Sequence, residues 1–269
     1  MSDQPLKNKS AFVTGSVQGI GLAIAKCFAG AGANVAIHGL ASQERAETVM
    51  AGLREAGAGD VIFFDTDLRD EKAIANMMQE LSAWNDVDIL VNNAGMQITT
   101  SLEAATGEIW NDILGVNLSA AFHTMRVLMP KMAARGYGRV INIASVHGLV
   151  ASINKAPYVA SKFGLVGLSK VAALEYASVG SKTSGGVTVN CINPGWTETQ
   201  LIQPQIDARS ADFGGDRQKG EASLLAEKQP SKRTSDPREI GELCLFLCHK
   251  SAHNITGTSI PVDGGWTAQ

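Results

Sequence analysis

Tyr158 and Lys162 are the two side chains in this sequence with the clearest capacity for proton transfer. They lie four residues apart in a helical pattern that begins near Pro157, so both project from one helix face, about one turn apart. An ammonium beside a phenol favours the phenolate, and the pair is therefore expected to lower the tyrosine pKa from about 10 toward working pH. Such a tyrosine can act as a general acid or base. The spacing alone is weak evidence, because pairs of this kind occur by chance on many amphipathic helices.

A serine at the end of an apolar run supplies a second polar group near this pair. Ser145 ends the run that precedes the helix, thirteen residues before Tyr158. Its hydroxyl could hydrogen-bond the same substrate oxygen as the phenol. We therefore expect the chemistry at the junction between a strand and the helix that follows it.

A glycine-rich turn near the start of the chain predicts a phosphate site. The run SAFVT at 10–14 indicates a strand, Gly15, Gly19 and Gly21 follow it, and LAIAKCFAGAG then has helical periodicity. Gly15 permits a tight turn, Gly19 lets the backbone approach a pyrophosphate, and Gly21 lets the helix pack on the strand. The helix N-terminus would face the phosphates. A glycine turn alone could also be ordinary punctuation between a strand and a helix.

Four features together carry a family resemblance: the Gly-x-x-x-Gly-x-Gly spacing from Gly15, the Asn-Asn-Ala-Gly run at 92–95, Ser145, and the Tyr-x-x-x-Lys pair. They resemble the short-chain dehydrogenase/reductase family over essentially the whole chain. The resemblance implies a catalytic tetrad formed by Asn117, Ser145, Tyr158 and Lys162. It also implies that Asn117 holds a water that relays protons from Lys162 to solvent. Alternatively, Asn117 could simply bond a neighbouring carbonyl.

The same resemblance implies a nicotinamide dinucleotide cofactor. The residues implied to bind it are Gly15, Gln18, Gly19, Ile20, Gly21, Leu40, Asp67, Leu68, Asn93, Ala94, Gly95, Tyr158, Lys162, Pro194 and Thr199. The second strand is followed by Gly39-Leu40-Ala41, which offers neither an acidic residue for a free ribose 2′-hydroxyl nor an arginine for a 2′-phosphate. The nearest arginine, Arg45, is assigned to a solvated helix face. We expect NAD rather than NADP, because an uncompensated phosphate would be costly to bury.

Longer strings indicate an acid substrate. NNAGMQ, NLSAAFH, INIASVHGLVASINKAPY, INPGW, EKQPS, ITGT and DGGWTA resemble a subgroup of the family that interconverts a small hydroxy acid and its keto acid. The resemblance implies substrate contacts from Gln97, His147, Lys155, Trp196 and Gln205. Taken singly, a loop lysine or glutamine is more often solvated. Another ketone reductase, such as a 3-oxoacyl-carrier-protein reductase, stays open, as does a non-catalytic dinucleotide-sensing protein, which has no need of the tetrad.

The order of the elements predicts the fold class. At 269 residues with 45% hydrophobic content, the chain is long enough for one large core. Strands that alternate with helices predict an α/β single-domain Rossmann fold, a doubly wound parallel sheet of about seven strands flanked by helices. The site is expected at the carboxyl ends of the strands, where the strand order reverses. A weakly helical stretch at about 201–229, broken by Gly214-Gly215, predicts a small helical substrate lid.

Charge and composition set expectations about partners. The net charge of -3 and the absence of a Lys/Arg-rich run disfavour nucleic acid and anionic membranes as partners, and favour a small molecule. No apolar run approaches a bilayer span, and MSDQPLKNKS lacks the apolar part of a signal peptide, so we expect a cytoplasmic protein. The cysteine spacing predicts neither disulfides nor a metal site. The family resemblance implies a homotetramer.

Overall fold

Seven parallel strands form one sheet in a computed structural model that describes residues 4–268. The strands are β1 (Ser10–Val13), β2 (Asn34–His38), β3 (Val61–Phe64), β4 (Ile89–Asn92), β5 (Tyr137–Ile143), β6 (Gly186–Pro194) and β7 (Ser259–Val262). Their order across the sheet is β3-β2-β1-β4-β5-β6-β7. The order reverses at β1, which pairs with β2 on one side and with β4 on the other. A crevice for a ligand is expected at the carboxyl ends of the strands at that point.

Helices cover both faces of the sheet, which explains why the strands are nearly continuous apolar runs. They are α1 (Gly19–Gly30), α2 (Gln43–Glu55), α3 (Glu71–Trp84), α4 (Gly107–Leu114), α5 (Ala120–Arg135), α6 (Ala156–Tyr176), α7 (Gln203–Ala211), α8 (Arg217–Lys228) and α9 (Pro237–Cys248). One core cluster joins the sheet to α1, α2 and α9, and the other joins it to α3, α5 and α6. The predicted single-domain α/β fold is confirmed. No helix of the described chain combines the length and the apolarity of a membrane crossing.

Two α-helices and a short π-helical segment, rather than one continuous helix, span residues 107–135. A π-helical segment at Gly115–Ser119 separates α4 from α5, and Asn117 lies buried at its centre. A π segment inserts an extra residue into a helix, so it rotates the side chains on either side relative to each other. Such segments are frequent at functional sites, and here the segment lies next to the predicted catalytic residues.

The stretch predicted as a lid folds into α7 and α8, which we call together with their connection the α7–α8 segment. Gly214 and Gly215 join the two helices with φ angles of 66° and 90°, values that glycine adopts without strain. A small apolar cluster of Ile202, Ile206 and Leu224 packs against Trp196, which follows β6. The segment therefore rests on the carboxyl edge of the sheet. Its movement over a substrate stays a prediction.

Candidate active site

A cavity of about 720 Å³ opens at the carboxyl ends of the central strands. Most of the residues predicted to bind the cofactor or to take part in catalysis line it: Gly15, Gln18, Gly19, Ile20, Leu40, Asp67, Leu68, Asn93, Ala94, Gly95, Ser145, Tyr158, Lys162, Pro194 and Thr199. Two further members of those predicted sets, Gly21 and Asn117, contact residues of the cavity wall from behind. The structure thus brings together residues that are as far as 184 positions apart in the sequence.

The glycine turn after β1 has the shape of a phosphate cradle. Gly15 has a φ of 62°, and a Cβ there would stand 2.8 Å from the Cα of Ala94. A Cβ on Gly21 would overlap the carbonyl oxygen of Gly15. Gln18 precedes α1 without a side-chain capping bond, so the first backbone N–H groups of the helix stay available to an anion. These features fit a dinucleotide pyrophosphate.

His38, at the end of β2, fixes this turn and was not anticipated from the sequence. The backbone N–H of Gly15 donates to its Nδ1 at 3.2 Å, so the ring proton is on Nε2, which donates to the carbonyl of Thr66 at 2.8 Å. Burial lowers the pKa of His38, and the ring is therefore neutral at pH 7. Its place one residue before Gly39 was the available signal, but a strand-end histidine has no single meaning in a sequence.

The ribose end of the cavity corrects one expectation. Arg45 was assigned to a solvated helix face, yet its Nη2 donates to the carbonyl of Val17 in the glycine turn at 2.8 Å. A Cβ on Gly39 would stand only 2.7 Å from Val17 Cγ2, which leaves little room for any side chain there. Leu40 is 70% exposed and offers no charge. Recognition of a ribose 2′-hydroxyl or 2′-phosphate by a charged side chain would thus need residues other than Gly39 and Leu40.

The adenine end is flanked by a paired carboxylate. Asp67 lies 2.6 Å from the guanidinium of Arg69, and that hydrogen-bonded pair lowers the pKa of Asp67. Arg69 also reaches Asp112 at 3.1 Å. Asp70 caps α3 by accepting from the backbone N–H groups of Lys72 and Ala73. Adenine contact by Asp67 and its neighbour Leu68 stays a prediction.

Tyr158 and Lys162 share one face of α6, as predicted, with the ammonium 5.7 Å from the centroid of the phenol ring. Both side chains are buried, and Lys162 Nζ donates to the carbonyl of Ile143 at 2.9 Å. The predicted lowering of the tyrosine pKa is wrong for this arrangement, because burial raises the pKa of Tyr158 while Ser145 only opposes that shift. Burial also lowers the pKa of Lys162 to about 8. Desolvation penalises both charged forms and here exceeds their mutual attraction.

Ser145 is held in place by hydrogen bonds from two other residues. It precedes a short 3-10 turn at Val146–Gly148, and its hydroxyl accepts the backbone N–H of His147 at 3.1 Å. The side-chain amide of Asn193 donates to the Ser145 carbonyl at 2.7 Å. The hydroxyl is therefore fixed beside the phenol, where it can donate its proton to a substrate oxygen.

Asn117 clamps the loop that follows β4. Its Oδ1 accepts the backbone N–H of Met96 at 2.8 Å, and its Nδ2 donates to the Met96 carbonyl at 3.0 Å and to Ser161 Oγ at 3.1 Å. The alternative that this asparagine bonds a neighbouring carbonyl is therefore seen. A water relay from Lys162 stays a prediction. The two side chains do approach each other, since a Cβ on Gly95 would lie 3.5 Å from Asn117 Oδ1 and 3.7 Å from Lys162 Nζ.

A group of aromatic and basic side chains borders Tyr158 on the substrate side, and we call it the Trp–Lys cluster: His147, Lys155, Trp196, Lys228 and Trp266. The His147 ring meets Tyr158 edge to face at 6.0 Å and Trp266 at 5.5 Å, and the two tryptophan rings lie 5.8 Å apart. Lys155 Nζ stands 5.4 Å from the Trp196 ring and Lys228 Nζ 5.8 Å from the Trp266 ring. Two lysine ammoniums therefore lie over a group of rings that reaches Tyr158 through His147.

A family model described as short chain dehydrogenase matches residues 9–210 of the chain. The chain belongs to the short-chain dehydrogenase family. A D-beta-hydroxybutyrate dehydrogenase of Cupriavidus necator is 42% identical over 266 residues, covering 98% of this chain and 100% of the relative. One of Rhizobium meliloti is 41% identical over 262 residues, covering 97% and 99%.

Relatives of lower sequence identity carry the names of other enzymes. A 3-oxoacyl-acyl-carrier-protein reductase of Haemophilus influenzae is 33% identical over 261 residues, covering 97% of this chain and 98% of the relative. The crystal structure of L-sorbose reductase from Gluconobacter frateurii, complexed with NADPH and L-sorbose, superposes with a TM-score of 0.89. It is 30% identical, and 99% of each chain is covered. The family binds a nicotinamide dinucleotide, and the cradle described above fits that cofactor.

In this short-chain dehydrogenase, two of the residues predicted to contact the substrate, Gln97 and Gln205, are not hydrogen-bonded to the Trp–Lys cluster in the described chain. Gln97 follows the clamped Met96 in a loop that reaches Lys155 through a parallel bridge at Thr100. Gln205 is half-buried on α7. Within residues 4–268, no hydrogen bond links either glutamine to the Trp–Lys cluster. Their contact with a substrate stays a prediction.

One ring nitrogen of His147 is already hydrogen-bonded within the chain. Its Nδ1 lies 3.3 Å from the carbonyl of Val150, which can only accept, so Nδ1 carries the proton. Burial, and after it the charge of Lys155, lowers the pKa of His147 to about 4. The ring is neutral at pH 7, and its Nε2 is an acceptor. The positive charge for an anion must therefore come from lysines.

The sequence interpretation missed Trp266 and Lys228 as members of the cluster. Both lie in strings that carried the resemblance, DGGWTA and EKQPS, so a signal was present. Neither residue has a spacing relation to Tyr158 that periodicity could reveal. Only the packing of α8 and the C-terminal turn places them beside His147.

Proposed function

We propose that this protein is an NAD-dependent oxidoreductase that interconverts (R)-3-hydroxybutyrate and acetoacetate. The observation that carries the proposal is the Trp–Lys cluster, in which the charge of Lys155 acts on His147 and the His147 ring contacts the buried Tyr158. A small hydroxy acid needs both features at once, a cation for its carboxylate and an acid/base for its hydroxyl. Two relatives at 41% and 42% identity are named for this substrate and support the same choice.

The residues divide the reaction among themselves. A nicotinamide dinucleotide held by the glycine turn at Gly15 and Gly19 would supply the hydride acceptor for the carbinol carbon in the oxidative direction. Tyr158 takes the hydroxyl proton and returns it in the reductive direction, while Ser145 hydrogen-bonds the same oxygen. Lys162 stabilises the phenolate that exists after proton transfer from the tyrosine, because an opposite charge favours the ionised form. Lys155 fixes the carboxylate and with it the orientation of the reacting carbon.

The test is direct. Protein mixed with NAD and (R)-3-hydroxybutyrate should produce the near-ultraviolet absorbance of the reduced cofactor, and the (S) enantiomer should give much less. Acetoacetate with reduced cofactor should show the reverse change. Absence of turnover in both directions, with dinucleotide binding retained, would refute the proposed reaction and favour a non-catalytic dinucleotide-sensing protein.

NAD preference is the second part of the proposal. Leu40 carries no charge, the Arg45 guanidinium is bonded to the glycine turn, and Arg69 is paired with two carboxylates. A 2′-phosphate would therefore meet no uncommitted cation among these residues. We expect kcat/KM to favour NAD over NADP by at least about tenfold, or about 1.4 kcal/mol. As a matched variant, Leu40→Arg should move the ratio toward NADP; equal values in the wild type would contradict the preference.

A 3-oxoacyl-acyl-carrier-protein reductase remains the second candidate because relatives at 33% identity carry that name. Its substrate is a neutral thioester on a carrier protein, and a neutral carbonyl compound does not use the two lysines of the Trp–Lys cluster. Comparison of acetoacetate with an acetoacetyl thioester separates the two functions. Preference for the thioester together with NADPH would support the reductase.

A homotetramer is proposed as the working assembly. Helix α6 exposes Phe163 (45%), Val171 (53%) and Leu174 (79%), large apolar side chains that association with another chain would remove from water. Light scattering on the wild type should give the mass of four chains. Phe163→Asp and Leu174→Asp should lower that mass, whereas Leu102→Asp, an equally exposed position elsewhere, should not; a monomeric wild type would exclude the assembly.

A further inference from the structure

Lys228 is the last residue of α8, and its side chain leaves the helix toward the substrate side of the site. Its Nζ donates to Ser152 Oγ at 3.3 Å and stands 5.8 Å from the ring of Trp266. Ser152 belongs to the loop that also carries Lys155. The side chain thus connects the α7–α8 segment to the loop of the predicted carboxylate-binding lysine.

The ring contacts of the Trp–Lys cluster lead from Lys228 to the reactive phenol. Trp266, below Lys228, lies 5.5 Å from His147, and His147 lies 6.0 Å from Tyr158. Trp196, below Lys155, lies 5.8 Å from Trp266. The two ammoniums therefore stand over neighbouring rings of one wall. The indole N–H of Trp196 is buried and has no hydrogen-bond partner within residues 4–268, so this wall also holds an unused neutral donor.

The two lysines of this wall carry like charges that affect each other. Burial first and then the charge of Lys228 lower the pKa of Lys155, while Glu227 acts in the opposite sense. Glu227 itself is paired with Arg209. Among the described residues, neither Lys155 nor Lys228 takes part in an ion pair. Two half-buried ammoniums that repel each other make binding of an anion more favourable, because the anion relieves the repulsion as well as attracting both.

Another lysine of α8, Lys219, has different surroundings. Lys219 is 67% exposed and lies 3.3 Å from Asp216 in the first turn of the same helix. Lys228, by contrast, ends the helix, where a lysine interacts favourably with the helix dipole. That interaction alone would explain why a lysine stands at position 228. It would not explain why the Lys228 ammonium lies over an indole ring and bonds the loop of Lys155.

We propose that Lys228 is a specificity-determining residue that binds the substrate carboxylate together with Lys155. This inference rests on the proposed function for its substrate, but it concerns a residue to which the tetrad and the predicted carboxylate contacts assign no role. Because Lys228 ends α8, the second positive charge arrives with the α7–α8 segment. Binding of the acid is thereby coupled to the position of the α7–α8 segment.

The experiment compares Lys228→Met, which keeps much of the apolar stem, with Lys219→Met as the matched control. For (R)-3-hydroxybutyrate, Lys228→Met should raise KM by about ten- to a hundredfold and leave the kinetics of the methyl ester within about twofold of the wild type. Lys219→Met should match the wild type on both substrates. Lys228→Arg should retain most of the acid preference, because it retains the charge.

A second readout does not depend on turnover. Acetate and methyl acetate are titrated against the full protein while its intrinsic tryptophan fluorescence, to which Trp196 and Trp266 contribute, is followed. Acetate should perturb the wild type and bind at least about tenfold more weakly to Lys228→Met, even if 3-hydroxybutyrate proves not to be the substrate.

Three results would overturn the proposal: equal acetate affinity in the wild type and Lys228→Met, equal losses for acid and ester, or a Lys228→Arg variant as impaired as Lys228→Met. Equal acetate affinity would overturn the proposal even if 3-hydroxybutyrate were oxidised normally. Failure of this inference is thereby distinguishable from failure of the proposed function.

Discussion

Tyr158→Phe is expected to lower kcat with (R)-3-hydroxybutyrate by about 10² to 10⁴-fold, the range associated with loss of a positioned acid or base. The substitution removes one oxygen from a buried ring and leaves its edge-to-face contact with His147 in place. Cofactor affinity should therefore be nearly unchanged. Steady-state kinetics for turnover and a fluorescence titration for dinucleotide binding measure the two quantities separately.

A matched control for this variant lies on the same helix. Tyr176→Phe changes the last residue of α6, outside the cavity, and should leave kcat and thermal stability close to the wild-type values. If Tyr158→Phe kept near-native turnover, the proton transfer would have to be assigned to another group. Equal losses in both variants would instead indicate that tyrosine changes in α6 disturb the fold.

Lys155→Met should remove most of the preference of the enzyme for the acid over its methyl ester. Loss of one member of a hydrogen-bonded charge pair weakens binding strongly, and we expect kcat/KM for the acid to fall by about 10- to 10³-fold, with the lower part of the range reflecting the partial exposure of this lysine. Methionine keeps much of the apolar stem near Trp196. If the carboxylate contact also aligns the carbinol hydrogen, kcat should fall as well, because misplacement by about 1 Å can cost on the order of 10²-fold.

The comparison uses four rates, acid and ester on the wild type and on Lys155→Met, with Lys182→Met as a control in an exposed loop. The wild type should strongly prefer the acid, and the control should behave like it. An ester turned over as well as the acid by the wild type would defeat carboxylate recognition. The dehydrogenase assignment would survive that result, because the tetrad does not depend on the carboxylate.

The pKa shifts of Tyr158 and Lys162 both favour the uncharged side chains. Burial raises the pKa of Tyr158 and lowers that of Lys162 to about 8, so each side chain resists ionisation in its own surroundings. Transfer of a proton to or from substrate requires an arrangement in which the phenolate is compensated. The hydroxyl of Ser145 and the ammonium of Lys162 are the groups of this chain placed to compensate it.

The sequence by itself indicated the fold class, the strand and glycine turn near the start of the chain, and the common helix face of Tyr158 and Lys162. These follow from local patterns: apolar runs for buried strands, the glycine spacing for the turn after β1, and the four-residue spacing of Tyr158 and Lys162 on α6. The run at 10–14 that indicates a strand forms β1 over Ser10–Val13. Local patterns succeed here because neighbouring residues fix backbone conformation directly.

Tertiary structure alone decided the rest. The contact of Arg45 with Val17, the fixing of the glycine turn by His38, and the joining of Lys228 to the wall of Lys155 all bring distant segments together. Sequence patterns carry no distance between such segments. The sign of the Tyr158 pKa shift was likewise beyond the sequence, since a one-turn spacing reveals the neighbouring ammonium but not how much water burial removes from the phenol. Desolvation is a property of the packed chain, and in this site it outweighs the attraction that the spacing predicts.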